Sequence, residues 1–281
     1  MNFRKPPIFV LLSALLITVF LAVSCDNTLH PFNKDKGLYS VYGYLDIDSD
    51  VNYIRIKDLN MPFIEDSTRK IDAKVRLTNE RNEVSQTLTD SVVEFEGLYT
   101  HNFRTTLDIN PDTKYQLTVK RSDGKVATAT ATTPRIADTN VDPLNADCRT
   151  PITVRFKPVL KKADLYVRIG FEYRNKKYWV NPFLQTRKDE PELIYMRFTP
   201  QDIIAKIFSD DRGRPTIACY QLSSKIFYVD YIHYGPDFNQ GSSSDTLDIP
   251  GGAGKFGGLY NRRFHFPIDT TNLCRICKSI N

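Results

Sequence analysis

The 281 residues predict a mainly β protein, with an N-terminal two-sheet sandwich followed by a second β-rich domain that carries one short helix. Three observations predict it. Apolar residues alternate at a spacing of two from Leu38 onward, turn residues bound nearly every run, and one helix-start signature stands in the second half. The composition, at 41% hydrophobic, 25% charged and 12% aromatic, is that of a globular chain and excludes a largely disordered or polytopic membrane protein.

The N-terminus precedes the fold. Arg4 and Lys5 lie in a basic stretch, Ile8 to Val23 is free of charge, and Ser24-Cys25 ends the run. A basic region, an apolar region and a small-residue cleavage site, in that order, read as an export signal covering residues 1–24. Leu21-Ala22-Val23-Ser24-Cys25 resembles the lipobox of bacterial lipoproteins, in which the cysteine thiol takes a diacylglyceryl group. Cys25 is therefore the expected lipid anchor, because several acyl chains buried at about 0.8 kcal/mol per CH₂ hold a protein stably on a membrane. Residues 25–37 are its expected tether. Loss of Arg4 and Lys5 leaves 36 basic against 33 acidic residues, a net charge of +3 that advertises no nucleic-acid surface.

In chain order, Tyr39–Leu45, Val51–Lys57, Ala73–Leu77, Val92–Phe95 and Tyr99–Leu107 read as strands. Leu107, Ile109, Pro111, Thr113, Tyr115, Leu117 and Val119 then recur at strict two-residue spacing, and Asp123-Gly124 turns the chain into a small-residue strand, Lys125–Thr132. About seven strands in 38–135 suit a sandwich of the immunoglobulin or fibronectin III kind. The Leu-x-Ile-x-Pro-x-Thr-x-Tyr run resembles the fibronectin III segment that forms a tyrosine corner, which makes Tyr115 a structural residue. Residues 136–150 read as a linker by composition, and 151–281 as the second domain. There, Ile152–Phe156 and Leu165–Val180, with a turn at Arg174-Asn175-Lys176, read as strands. Thr199-Pro200-Gln201-Asp202 starts a helix ending near Ser209, since Thr199 can cap it and Pro200 fits its first turn. Ile217–Leu222 and Ile226–Ile232 are further expected strands.

Few motifs carry chemistry. Gly252-Ala253-Gly254-Lys255-Phe256-Gly257 matches G-x-G-x-x-G, yet no βαβ unit surrounds it, and Phe256 stands where a phosphate loop needs Ser or Thr. The segment reads as a loop requiring positive φ or close backbone approach, with Gly252, Gly254, Phe256 and Gly257 structural. Asp46-x-Asp48-x-Asp50 has calcium-loop spacing, but Val51 and Lys57 occupy the glycine and glutamate positions, so a solvated turn is expected. The four histidines (30, 101, 233, 265) form no metal motif, and Asp189-Glu190 and Asp210-Asp211 lie in turn-like sequence. No catalytic residue, metal or cofactor is expected.

Past Cys25, four cysteines remain, and in an exported chain they favour disulfides. Cys148, Cys219, Cys274 and Cys277 allow three connectivities, among which Cys219–Cys274 or Cys219–Cys277 would fasten the C-terminal tail. Aromatic residues crowd the second domain. Most belong in a core, and those flanking turns, Tyr178, Trp179, Tyr231 and Tyr234, are the expected ligand contacts, suited to stacking on the sugar rings of a glycan or to anchoring a protein interface.

Several features also come in a familiar order: the lipobox, Val41-Tyr42-Gly43-Tyr44-Leu45, the Pro111–Leu117 corner, Pro134 and Gly251–Gly258. Together they resemble the Bacteroidota lipoproteins of a domain-of-unknown-function family, number four-two-four-nine, in which a Gly-Gly-x-Gly-x-Phe-Gly segment sits near the C-terminus. The resemblance covers nearly all of the mature chain. It implies an outer-membrane lipoprotein encoded beside TonB-dependent receptors, and it carries over no catalytic residue. The expected function is a non-enzymatic accessory of such a receptor. The alternative is a surface glycan-binding or fimbrial lipoprotein, and the membrane leaflet is left open.

Overall fold

The computed structural model describes residues 38–60, 70–95, 98–144, 146–222, 226–237 and 249–269. The segments expected as signal and tether, with Cys25, and the Cys274 and Cys277 pair lie outside the described residues. Within them the chain is mainly β, with one α-helix. Its first eight strands are β1 (Tyr39–Asp46), β2 (Asn52–Asp58), β3 (Lys74–Asn79), β4 (Ser85–Thr87), β5 (Thr89–Phe95), β6 (Leu98–Thr105), β7 (Lys114–Lys120) and β8 (Val126–Thr132). They form two sheets, β4-β3-β7-β8 and a run β1-β2-β6-β5, as the immunoglobulin-like sandwich requires. Alternation does the sorting: in β7, Tyr115, Leu117 and Val119 are buried while Lys114 and Lys120 are exposed. Together with Val41, Ile54, Ile56, Val75 and Leu77 they make the first core.

The tyrosine corner is present. The Tyr115 hydroxyl accepts from the Asn110 backbone N–H at 2.7 Å and donates to the Asp108 carbonyl at 3.3 Å. Its ring is fully buried, and burial raises the phenol above its ordinary pKa. Strand structure does not begin until Lys114, so the alternating stretch from Leu107 to Thr113 is the corner itself and no strand.

The second half contains β9 (Asp138–Asp142), β10 (Ala146–Asp147), β11 (Ile152–Lys157), β12 (Leu165–Tyr173), β13 (Lys176–Val180), β14 (Gln185–Thr186), β15 (Ile194–Phe198), α1 (Pro200–Ile207), β16 (Ile226–Tyr234) and β17 (Gly252–Asp269). The β12–β13 turn holds Arg174 and Asn175 at φ 51° and 60°. Helix α1 starts on a capping box: Asp202 N–H donates to the Thr199 hydroxyl, and Thr199 N–H donates to the Asp202 carboxylate. Its buried Ile203 and Ile204 join Phe156, Phe171, Phe227, Tyr231 and Phe266 in a second core.

Three expectations need correction. Residues 136–150 are no linker: β9 pairs with β11 and β10 with β17, because Val141 and Ala146 carry apolar side chains into the second core. Ile217–Leu222 is no strand; a single 3₁₀ turn, Cys219–Gln221, occupies it, with the Gln221 side chain accepting from Ala218 N–H. The glycine segment is no loop either. It opens β17, the longest strand, whose Gly252–Leu259 portion pairs parallel with β1 and whose Leu259–Pro267 portion pairs antiparallel with β16.

That strand merges the two halves into one sheet, ordered β13-β12-β16-β17-β1-β2-β6-β5, with β10 beside β17. The chain thus builds two cores on one shared sheet, and the 135/136 boundary divides neither cleanly, since Ile249 and Phe256 belong to the first core. Even-numbered β17 residues, Phe256, Tyr260, Phe266 and Ile268, are buried in one core or the other, whereas Asn261, Arg263, His265 and Pro267 are exposed. Side chains alternate faces along a strand, so both cores lie on the same face of the shared sheet. Sheet β4-β3-β7-β8 packs over its β1 end, sheet β14-β15-β11-β9 over its β16 end, and the connection between them crosses β17 at Gly258. A Cβ on Gly258 would stand 2.5 Å from Thr133 Cα, and one on Gly235 would stand 1.8 Å from the Thr132 carbonyl oxygen. Glycine is needed at both because backbone passes where a side chain would be.

Candidate binding face

With both covering sheets on one side, the opposite face of the shared sheet carries its outward side chains in register. Across β13, β12, β16 and β17 one row reads Trp179, Gly170, Tyr228, His265. The adjacent row reads Arg168, Asp230, Arg263. Further along, Lys255, Tyr42 and Arg55 form a row across β17, β1 and β2, and Tyr53 pairs with Arg104. Tyr42, Tyr53 and Tyr166 are 52%, 51% and 37% exposed, which makes this an open surface of tyrosines interleaved with cations.

The most constrained part surrounds Asp230. Arg168 donates to its Oδ2 through Nε and Nη2 at 3.1 and 2.9 Å. From the opposite strand Arg263 donates to Oδ1 and Oδ2 at 2.5 and 2.7 Å. The Trp179 ring lies against Gly170, where any Cβ would come within 2.4 Å of it, and the Arg168 guanidinium sits 4.3 Å from the ring centre. Arg263 lies 5.4 Å from the same ring, and Tyr228 packs edge-on to His265 at 5.0 Å. Burial pushes the Asp230 carboxyl upward, but hydrogen bonds and charge from Arg263 and Arg168 outweigh it and hold the pKa below its ordinary value.

That balance has a measurable consequence. A folded-state pKa below the unfolded one means that the Asp230 contribution is complete above the unfolded value, ~3.9, and is lost as pH falls through the folded value. Asp230→Asn is expected to lower stability at pH 7 by about 1–3 kcal/mol, through weakened charge-assisted hydrogen bonds. The deficit against the parent should shrink on acidification below pH ~4. Urea midpoints at pH 7 and pH 3 measure it, and an unchanged deficit would contradict the assignment.

The expected ligand aromatics divide. Trp179 and Tyr234 lie on the open face, Trp179 pinned between Gly170 and Arg168. Tyr231 does not: it is 1% exposed, its hydroxyl donates to the Ala137 carbonyl at 3.2 Å, and burial raises its pKa to about 12. Tyr178 also turns inward, stacked on Phe171 at 5.7 Å and edge-on to Phe208 at 4.9 Å. Strand parity explains both, since Tyr178 pairs with Phe171 and Tyr231 with Val167 on the core side. Arg168, Asp230, Arg263, Tyr228 and Gly170 were missed. They occupy the polar phase of alternating strands, and only register brings them together.

The other sequence candidates sit elsewhere. Cys148 and Cys219 form a disulfide, which excludes Cys219–Cys274 and Cys219–Cys277. Gly252, Gly254, Phe256 and Gly257 pack β17 against β1, with Phe256 buried in the first core. Asp46 Oδ1 accepts from Asp48 N–H within the β1–β2 turn. Asp189 is gripped by Arg187 at 2.6 Å and Asp210 by Arg214 at 2.8 Å, which holds both carboxyls below their ordinary pKa. A cavity of about 560 Å³ beside β9 and β11 is lined by Arg155, Lys157, Arg187, Asp138, Glu190 and Glu192. Its Lys157 and Arg187 both reach Glu190, at 3.6 and 3.8 Å, so its cations already face a carboxylate. His233 is a core histidine whose Nδ1 donates to the Arg135 carbonyl at 3.0 Å. Among the described residues no group of three or more His, Cys, Asp or Glu is placed to hold a metal ion, and no helix is long and apolar enough to cross a membrane.

No family model and no curated protein matches the chain. Among solved structures it is similar to a pullulanase complexed with maltotriose from Anoxybacillus sp. LM18-11, at 10% identity and TM-score 0.23, over 70% of this chain and 24% of that one. Murine CEACAM1b matches at 6% identity and TM-score 0.21, over 83% of this chain and 99% of that one. A titin segment matches at 10% identity and TM-score 0.20, over 83% and 96%. The chain therefore spans about a quarter of the pullulanase, and likenesses this distant carry no argument about activity.

Proposed function

We propose that this chain is a non-enzymatic outer-membrane lipoprotein, anchored through Cys25, that serves as an accessory of a TonB-dependent transport system. The observation that carries the reading is the open face. Two covering sheets bury one side of a shared sheet and leave the other as a broad surface, which suits a scaffold that presents a contact surface to a partner. The lipobox at 21–25 supports the anchor, and the family resemblance supports the partner. Cys25→Ser is expected to release the protein from membranes, as fractionation and immunoblotting would read. Affinity purification of the tagged parent from native membranes should recover a stoichiometric β-barrel receptor. Reproducible absence of such a receptor rejects the accessory role, and retention of the serine variant in membranes rejects the anchor.

A second reading, a surface glycan-binding or adhesin lipoprotein, is favoured by one specific feature: exposed tyrosine rings lie beside arginines on the open face, Tyr42 beside Arg55 and Tyr53 beside Arg104.

A further inference from the structure

We propose that the open face binds an acidic polysaccharide, whose carboxylates are taken by the Arg168–Arg263 pair and whose sugar rings lie on the neighbouring tyrosines. The proposal rests on the glycan-binding reading and supplies its ligand class.

Asp230 accepts four hydrogen bonds from the two arginines, all through Nε and Nη2, which leaves Nη1 of each outside that clamp. Both side chains are 39–43% exposed, whereas Asp230 is 10% exposed. One carboxylate between two guanidiniums leaves a surplus positive charge facing solvent. The fork of Arg168 is held from below by Trp179, itself seated on Gly170, so its ordering cost has been met in folding. Guanidinium forks match carboxylates in a bidentate manner that an ammonium does not reproduce.

The surroundings select a polymer. This is a broad sheet surface, so a small anion would be held from one side only, while a chain gathers many weak contacts. Lys177 reaches over the Tyr228 ring at 5.9 Å and places a cation beside the clamp, with Glu172 as its cross-strand neighbour. The exposed rings of Tyr166, Tyr42 and Tyr53 extend along the same face, each with an apolar body for a pyranose and a polar tip for its hydroxyls. Arg55 and Arg104 repeat the pairing of cation with ring toward the far edge.

Affinity electrophoresis of the full chain in detergent tests this, with polygalacturonate in the gel and its fully methyl-esterified form as the uncharged control on the same backbone. Retardation is expected with polygalacturonate only. Arg168→Lys with Arg263→Lys keeps the charge and can still pair with Asp230, yet should weaken retardation about tenfold through loss of the forked hydrogen bonds. Should that variant melt early, Lys177→Gln, an exposed substitution, is expected to weaken binding about twofold to fivefold with unchanged melting. No retardation of the parent, equal retardation by the esterified polymer, or full retention by folded variants would each overturn the proposal. Failure to recover a receptor from membranes would reject the accessory role and leave this result standing.

Discussion

Gly254→Val is expected to destabilise the fold by about 3–5 kcal/mol, or to prevent its recovery as soluble protein, because clash and forbidden backbone act together. Gly254 has φ 121°, a region that L side chains rarely enter. A Cβ there would stand 1.9 Å from the Val41 carbonyl oxygen and 2.9 Å from Val41 N. Both are backbone atoms of β1, which cannot step aside without breaking its pairing with β17. The damage would reach further than one contact. Two residues on, Phe256 is buried in the first core, and the same strand supplies Tyr260, Phe266 and Ile268 to the second. Gly213→Ala is the control. Its φ is 73° but nothing lies within 4 Å of the new atom, so only conformational strain of about 1 kcal/mol is expected. Urea unfolding of the two variants separates strain from collision. Equal losses would mean that close approach to β1 is not what fixes this glycine.

The contrast between these glycines shows where sequence reading stops. Alternation at spacing two revealed the first sandwich because each of its strands has one buried and one solvated face, and a slip of one residue would invert every side chain. The Tyr115 corner and the Thr199 cap were legible for a related reason: the backbone and side-chain partners named for them lie three to seven residues away along the chain. Strand β17 was illegible. Glycine and proline are depleted in strands, so Gly251–Gly258 and Pro267 argue locally against the longest of the described strands. What overrides local preference there is close approach to β1 and to the crossing at Thr132–Thr133, a tertiary fact. The candidate binding face was half legible. Trp179 was singled out because it flanks a turn, but nothing local says that it lies on Gly170 or that residues 168, 230 and 263 share a row. Tyr231 and Tyr178 were misplaced because adjacent aromatics on a strand face opposite ways, and flanking a turn does not fix which way.

Removing the Cys148–Cys219 disulfide should cost about 4 kcal/mol, because a cross-link between residues 71 apart restricts a large loop of the unfolded chain. Both cysteines are fully buried, and the backbone beside them is tied in as well. Gln201 N–H donates to the Cys148 carbonyl and Cys219 N–H donates to the Gln201 side chain, so the bridge, α1 and the end of β10 form one knot. The double variant Cys148→Ala with Cys219→Ala would loosen α1 and its Ile203 and Ile204 first. It should not stop there. Since β17 runs through both cores, opening the second removes the antiparallel partner that holds β17 against β1, and the first core then loses Phe256. One cooperative transition is therefore expected, shifted to lower urea by the same amount whether followed by Trp179 fluorescence, which reports only the second half, or by far-ultraviolet circular dichroism, which reports every strand. Coincident, displaced midpoints would mark the shared strand as the coupling between the cores. Two separated transitions, with the first sandwich surviving at its original midpoint, would mean that β17 joins two independently stable bodies.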